Sequence, residues 1–355
     1  MNVLFLTRYD SNGPSSRYRF YNYNSYFLSA GINPIYKPLL DQHYLKLLVM
    51  PASFKKKFLI LQSQLKSVFS RILYLLKLDY HLYDLILIEK ELFPNFPYFI
   101  EKLLLNGKKY ALDYDDYVGA SYQRNLITRY LLGSKINKLV GSSHFATVGN
   151  RWYYSVFNTP NLHFLPTVIN REKYDVPIPE RNAKVLSIVW IGSLTTLKYL
   201  TPLLPVIDKL NKRYGVRLKV IGPHSASVNQ SFCDHILWDE NTEVNELISA
   251  DIGIMPLEDT LWEKGKCGLK LIQYMACALP VVSSPSPSAL EILNGIGEEF
   301  IASNLTEWEA SLDKLITDES LRHQYGLKAR NRIFSHYTYQ YWGPKYGQII
   351  KMAVS

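Results

Sequence analysis

Two α/β domains, each a doubly wound parallel sheet covered by helices, are the fold class that this sequence predicts. Three observations carry the prediction. The chain has 355 residues, more than one core comfortably organises. Short apolar runs alternate with segments of helical period, the pattern of parallel strands joined by crossover helices. One stretch near the middle, residues 170–184, is rich in charge and proline and has no apolar period, so it reads as a linker.

In the first half the apolar runs 2–7, 85–89, 110–114, 138–141 and 162–165 read as strands. In the second half they are 186–191, 217–221, 236–238, 252–255 and 280–283. The segments 16–30, 97–106, 200–214, 242–250, 270–278 and 305–317 carry helical period. The expected organisation is therefore a first domain over 1–170, a second over 184–335, and a terminal segment over 336–355. The tail 335–355 is too dense in aromatic residues (Tyr337, Tyr339, Tyr341, Trp342, Tyr346) for a free end, and is expected to pack as a helix on the first domain. Two such sheets joined by one linker would leave a cleft at the carboxyl edges of their strands, where open α/β sheets bind ligands.

Composition narrows the function. Hydrophobic residues make up 47% and charged residues 20%, which a packed protein needs and a disordered one lacks. Cys233, Cys267 and Cys277 show neither metal-ligand spacing nor the even count of a disulfide framework. The N-terminus does not follow the pattern of a secretion signal, and no apolar run approaches the roughly 18 residues of a membrane span. A cytoplasmic protein is the expectation.

The net charge of +9 lies entirely in the first half: residues 1–170 hold 20 Lys and Arg against 10 Asp and Glu. Between Asp41 and Asp79 there is no acid, while Lys46, Lys55, Lys56, Lys57, Lys66, Arg71 and Lys77 alternate with leucine and phenylalanine. Residues 42–78 therefore read as basic amphipathic helices suited to an anionic membrane surface. An ordinary surface helix, packed on its own domain, is the competing reading. Nucleic acid fits poorly, because no recognition motif accompanies the basic segment.

Four segments could carry chemistry. After the first strand, Gly13-Pro14-Ser15-Ser16-Arg17-Tyr18-Arg19 opens a helix. Ser15 or Ser16 as N-cap would leave backbone N–H groups for an anion, with Arg17 and Arg19 adding charge. Asp115 and Asp116 end a strand, where a carboxylate could orient or deprotonate a hydroxyl, or merely cap the turn. His144 is expected to start a helix after a strand, in a capping, core or catalytic role. In the second half, Gly192-Ser193 followed by Lys198 forms a strand-to-helix turn that could carry a diphosphate, and Gly222 repeats the strand-end glycine.

The strongest segment is Gly265-Lys266-Cys267-Gly268-Leu269-Lys270-Leu271-Ile272-Gln273-Tyr274-Met275-Ala276. Lysines near a helix start oppose the macrodipole, so Lys266 and Lys270 make sense around a bound anion. Gln273 falls one turn on and is expected to face the same ligand.

This segment resembles the donor-site signature of glycosyltransferase family 4, the retaining GT-B enzymes, in a bacterial branch of surface-polysaccharide synthesis. Gly13-Pro14-Ser15-Ser16-Arg17, Asp113-Tyr114-Asp115-Asp116, Trp190-Ile191-Gly192-Ser193 and Glu307-Trp308 extend the resemblance over most of the chain. It implies transfer of a sugar from a nucleoside diphosphate sugar to a hydroxyl of a glycan or lipid-linked acceptor, with retained configuration. It also implies that the donor phosphate helps deprotonate the acceptor. Gly13, Ser15, Arg17, Gly192, Ser193, Lys198, Gly222, Lys266, Gly268, Leu269, Lys270 and Gln273 become the expected donor contacts, and Asp115 and Asp116 the expected catalytic acids. No cofactor or metal is expected. Asp113-Tyr114-Asp115 has the letters of a metal motif but lies in the other domain.

The sequence departs from the family at its paired glutamates, where Gly265 and Gln273 stand. Gln273 could still reach a ribose. Glycine cannot contact the sugar, and Glu258, Asp259 or Glu263 are the nearby substitutes. Ser193 stands where the family has an arginine, for which Lys266 and Lys270 could compensate. Two other readings follow from these gaps: a GT-B nucleotide-sugar epimerase, and a catalytically silent GT-B binding protein. A peripheral place on the inner face of the cell membrane is expected for the enzyme.

Overall fold

The run Leu85–Glu89 is buried along its whole length and forms an inner strand of a parallel sheet. Such strands lie covered on both faces, which is why they read as continuous apolar runs. The computed structural model describes residues 1–50, 53–179, 185–222, 228 and 230–354. By its contacts the chain divides into two compact units, Met1–Thr167 with Trp342–Ser355, and Val168–Tyr341. Residues 180–184 of the expected linker lie outside the described residues, as does Pro223. Residues 170–179 count with the second unit, where Tyr174 is buried.

The first unit holds β1 (Asn2–Leu6), β2 (Asn33–Tyr36), β3 (Leu85–Glu89), β4 (Tyr110–Tyr114), β5 (Phe145–Val148) and β6 (Leu162–Phe164). They form one six-stranded sheet in the order β2-β1-β3-β4-β5-β6, with every pairing parallel. The second unit holds β7 (Ser187–Ile191), β8 (Arg217–Gly222), β9 (Cys233–Leu237), β10 (Ile252–Met255) and β11 (Val281–Ser283). Their order is β11-β10-β7-β8-β9, again all parallel. Two doubly wound α/β domains are thus present.

Three local expectations are corrected. Residues 138–141 are not a strand but the end of the helix Lys135–Gly141. Ile136, Leu139 and Val140 recur at helical spacing and are all buried, a period that a four-residue window cannot display. The strand of that region is β5, and β2, with its proline, also escaped the sequence reading. His144 precedes β5 rather than starting a helix, and its backbone N–H donates to the Tyr110 carbonyl at 2.8 Å.

The basic segment forms the helices Gln42–Val49 and Phe54–Lys77. Ser53 caps the long helix by accepting from the Lys56 N–H at 3.0 Å. Its inward face sets Ile60 and Val68 against a cluster of Leu39, Leu40 and Tyr44. Its outward face is apolar: Phe54, Phe58 and Phe69 are 86%, 60% and 63% exposed, and Leu61 and Leu65 extend the stripe. At the chain's end, Tyr346 is fully buried edge-on to Tyr23 and Phe27, each at 5.2 Å between ring centroids.

Candidate active site

In the first unit the carboxyl ends of β1, β3 and β4 converge on a charged network. Glu89 stands opposite Asp113 in the β3–β4 register, and both are buried. Arg19 neutralises Asp113 from two nitrogens, at 2.9 and 2.5 Å, and also donates to the Leu165 carbonyl at 2.7 Å. Thr147 Oγ1 donates to the same carboxylate. Arg19 is therefore a core residue rather than the free anion-binding charge expected of it. Asp113 is likewise held inside the unit, so the Asp-x-Asp letters do not present two carboxylates to one metal.

Gly13, not Ser15 or Ser16, caps the helix Pro14–Arg19. A Cβ on Gly13 would lie 2.2 Å from Tyr9 Cβ, so the close packing of this turn requires glycine. The two serines turn toward acids instead. Ser16 Oγ accepts from the Tyr9 N–H at 2.9 Å and donates to Glu89 at 2.5 Å. Ser15 Oγ lies 2.7 Å from Glu89 Oε1 and 2.6 Å from Asp115 Oδ2. Arg17 sits half-buried beside Tyr18.

Lys90 joins this network from a backbone conformation with φ +64°, sparsely populated for a side-chain-bearing residue. Its ammonium lies 2.8 Å from Asp115 and 3.2 Å from Asp116. Burial opposes charge on Asp115, but Lys90 and the hydrogen bonds from Lys90 and Ser15 outweigh it and lower the pKa to about 2. Glu89 moves the other way: burial, with Asp115 beside it, raises its pKa despite Lys90 and both serines. Two adjacent carboxyls pushed apart in this manner can hold and release a proton at different pH values. A carboxylate as acidic as Asp115 is a poor base. Asp116, with a side chain 29% accessible, is the better placed of the two expected acids. Glu89 and Lys90 were missed in the sequence because Leu85–Glu89 reads as a strand and nothing local distinguishes its last residue.

In the second unit Gly192 directly follows β7. Its Cβ would fall 2.5 Å from the Trp190 ring, and a Cβ on Gly222 would fall 2.0 Å from the Gly192 carbonyl oxygen. Gly192 thus makes room for the indole and the Thr196 hydroxyl, and Gly222 for the close approach of the Gly192 backbone. Ser193 then caps a short 3-10 turn, Leu194–Thr196, with a reciprocal Ser193–Thr196 bond pattern. Lys198 follows, exposed, 4.6 Å from the Tyr199 ring centroid and 3.2 Å from Glu258.

Gly268, at φ +71°, caps the helix Leu269–Ala276, and its Cβ would meet Ile292 at 2.7 Å. Lys270 lies on the first turn with its ammonium 4.4 Å from the Trp190 ring centroid. Burial, with Lys266 adding repulsion, lowers its pKa to about 7. Trp190, Gly192, Lys266 and Lys270 are thus brought together at one strand-to-helix edge, with Leu269 opening the same helix. Gln273 is buried and donates to the Tyr174 hydroxyl at 3.2 Å, and that hydroxyl donates to Glu243 at 2.8 Å.

The carboxylates weighed as substitutes for the missing glutamate have partners of their own. Glu258 faces Lys198, Asp259 lies 3.2 Å from Lys264, and buried Glu263 accepts from Tyr199 and Thr260. Among the described residues no cluster of three His, Cys, Asp or Glu is disposed to hold a metal.

Comparison with known proteins bears on the second unit most directly. The family described as glycosyl transferases group 1 matches residues 186–318. No curated protein matches the chain. Among solved structures, a glycosyltransferase from Rickettsia africae is similar with a TM-score of 0.71 and 14% identity, over 100% of this chain and 98% of that one. Anabaena Alr3699/HepE, solved with UDP and glucose, aligns with a TM-score of 0.68 and 11% identity, over 99% and 100% of the chains. WaaG, a glycosyltransferase involved in lipopolysaccharide biosynthesis, aligns with a TM-score of 0.64 and 14% identity, over 99% of each chain. At such identities structural likeness speaks to the fold. The fold is GT-B, and the group 1 match over residues 186–318 supports a glycosyltransferase.

Proposed function

We propose that the chain transfers a sugar, with retention, from a nucleoside diphosphate sugar to a hydroxyl of a glycan or lipid-linked acceptor, in bacterial surface-polysaccharide synthesis. The observation that carries this reading is the pair Lys266 and Lys270 at the start of one helix, with Lys270 held over Trp190. Two cations at the positive end of a helix are stabilised by an anion between them, and a diphosphate has the charge and reach. In the reaction the bond from the anomeric carbon to the diphosphate oxygen breaks and a bond to the acceptor oxygen forms. The acceptor proton passes to the departing diphosphate, whose charge the lysines stabilise without a cofactor or metal. Asp116 orients the acceptor hydroxyl.

Acceptor supply comes from a membrane. Among the described residues no helix is long and apolar enough to cross one. The exposed apolar stripe of Phe54–Lys77, flanked by lysines and free of acids, suits peripheral attachment to anionic lipid at the inner face. The test of the donor site is turnover by Lys266→Ala and Lys270→Ala with UDP-sugars and a cell-extract acceptor. A loss of about 10²- to 10³-fold is expected, and unchanged turnover rejects the assignment. Product formed without acceptor would indicate epimerisation instead.

A further inference from the structure

The first unit contains a cavity of about 590 Å³ that the chemistry above does not use. It lies beside one face of the helix Phe54–Lys77 and is closed on another side by Lys37, Pro38 and Leu39, which follow β2. Three cations line it, Lys37, Lys66 and Arg71, against one carboxylate, Asp41. Asp41 is engaged as the cap of the helix Gln42–Val49, accepting from the Tyr44 N–H at 3.1 Å. His43 lies at the same wall.

Arg71 is the unusual member. It is 5% exposed, and its Nη2 donates to two neutral carbonyls, Thr7 at 3.0 Å and Lys37 at 2.6 Å. Among the described residues no carboxylate forms an ion pair with it. Burial lowers its pKa to about 10 even with Glu89 within electrostatic reach, so a desolvation cost remains that an anion beside it would offset. Lys37 reaches toward the Tyr74 ring at 5.3 Å rather than toward an acid.

The rest of the lining mixes hydroxyl groups with the apolar Pro38, Leu39 and Leu59. Ser63, Ser67 and Ser70 stand at one-turn spacing along the helix, with Gln62 beside them. Serine hydroxyls and an amide exchange hydrogen bonds with the hydroxyls of a polyol. The apolar stripe that includes Phe58, Leu61, Leu65 and Phe69 lies on a different face of the same helix, so the cavity sits alongside the surface assigned above to lipid.

We propose that this cavity binds a phosphate ester bearing hydroxyls, with Arg71, Lys66 and Lys37 around the phosphate and the serines on the polyol. The ester is the head of the acceptor, an assignment that rests on the transfer reading, whereas the binding itself does not.

The test is calorimetric titration of the whole protein with glycerol 1-phosphate, alongside flotation on phosphatidylcholine vesicles with and without phosphatidic acid. Lys37→Gln/Lys66→Gln should weaken glycerol 1-phosphate about tenfold or more. Ser67→Leu, which fills the cavity without changing charge, should do the same. Lys102→Gln/Arg124→Gln removes equal charge elsewhere on the unit and should stay within about twofold. Equal losses from both double variants, wild-type affinity in Ser67→Leu, or no binding by the wild type would each overturn the proposal. Vesicle binding that Ser67→Leu weakens identifies a lipid head as the source, and binding confined to the soluble ester identifies a free one. Failure of the donor-site reading would appear in turnover by the Lys270 variant and leaves these titrations unaffected.

Discussion

The two units place the same local construction, a parallel strand running into a tight glycine turn and a helix, under opposite electrostatics. In the first, acids and bases satisfy one another: Arg19 covers Asp113, Lys90 divides itself between Asp115 and Asp116, and two serines serve Glu89. In the second, Lys270 has an indole face rather than a carboxylate beside it, and burial together with repulsion from Lys266 disfavours its charge. A network closed on itself holds a structure, while an unbalanced charge at a helix start is a place for a ligand. Equal geometry therefore does not imply equal duty.

The comparison breaks most visibly at Asp113. Asp113→Ala strands a buried guanidinium and should cost about 3–5 kcal/mol in urea unfolding, with Arg19→Met/Asp113→Leu recovering much of it. A loss below about 1 kcal/mol would mean that the network is not closed. Gly222→Ala comes next: the new Cβ has the Gly192 carbonyl in its way, so about 1–3 kcal/mol of stability and the shape of the donor turn should be lost together. Preserved stability and turnover would show that this approach of strands is not needed.

The pH response of Lys270 gives a smaller effect of definite sign. Its pKa falls from 10.5 to about 7, so between those values the unfolded chain holds a proton that the folded one does not. Stability should rise with pH across that window, and Lys270→Met should flatten the rise. Binding a diphosphate needs the charged form, so donor affinity of the wild type should fall by up to about tenfold per pH unit above 7, read by titrating UDP. A pH-independent affinity would remove Lys270 from the site. Lys198→Ala should change least: its pair with Glu258 is exposed and worth under about 1 kcal/mol, so the melting point holds while KM rises if the lysine meets the donor.

Much of this architecture was legible in the residues. Strands such as Leu85–Glu89, Tyr110–Tyr114 and Ile252–Met255 have the read boundaries, because buried parallel strands must be apolar along their length. Residues 138–141 failed because a short apolar run serves a helix and a strand equally until its neighbours Ile136 and Lys135 are counted. In the site, the glycines and lysines of the second unit stood out because they break local rules of space and charge. Glu89 and Lys90 break no such rule and stayed hidden.

The sequence alone determined the class of fold, the asymmetry of charge between the halves and the lysines at the helix start, since periodicity and charge are properties of neighbours along the chain. Tertiary structure decided which charges cancel. Arg19 and Asp113 are 94 positions apart, Ser15 and Asp115 100 apart, and only the sheet brings them within hydrogen-bond reach. It also turned Arg71 inward and the phenylalanines of the same helix outward, as partners for a helix face come from elements distant in sequence.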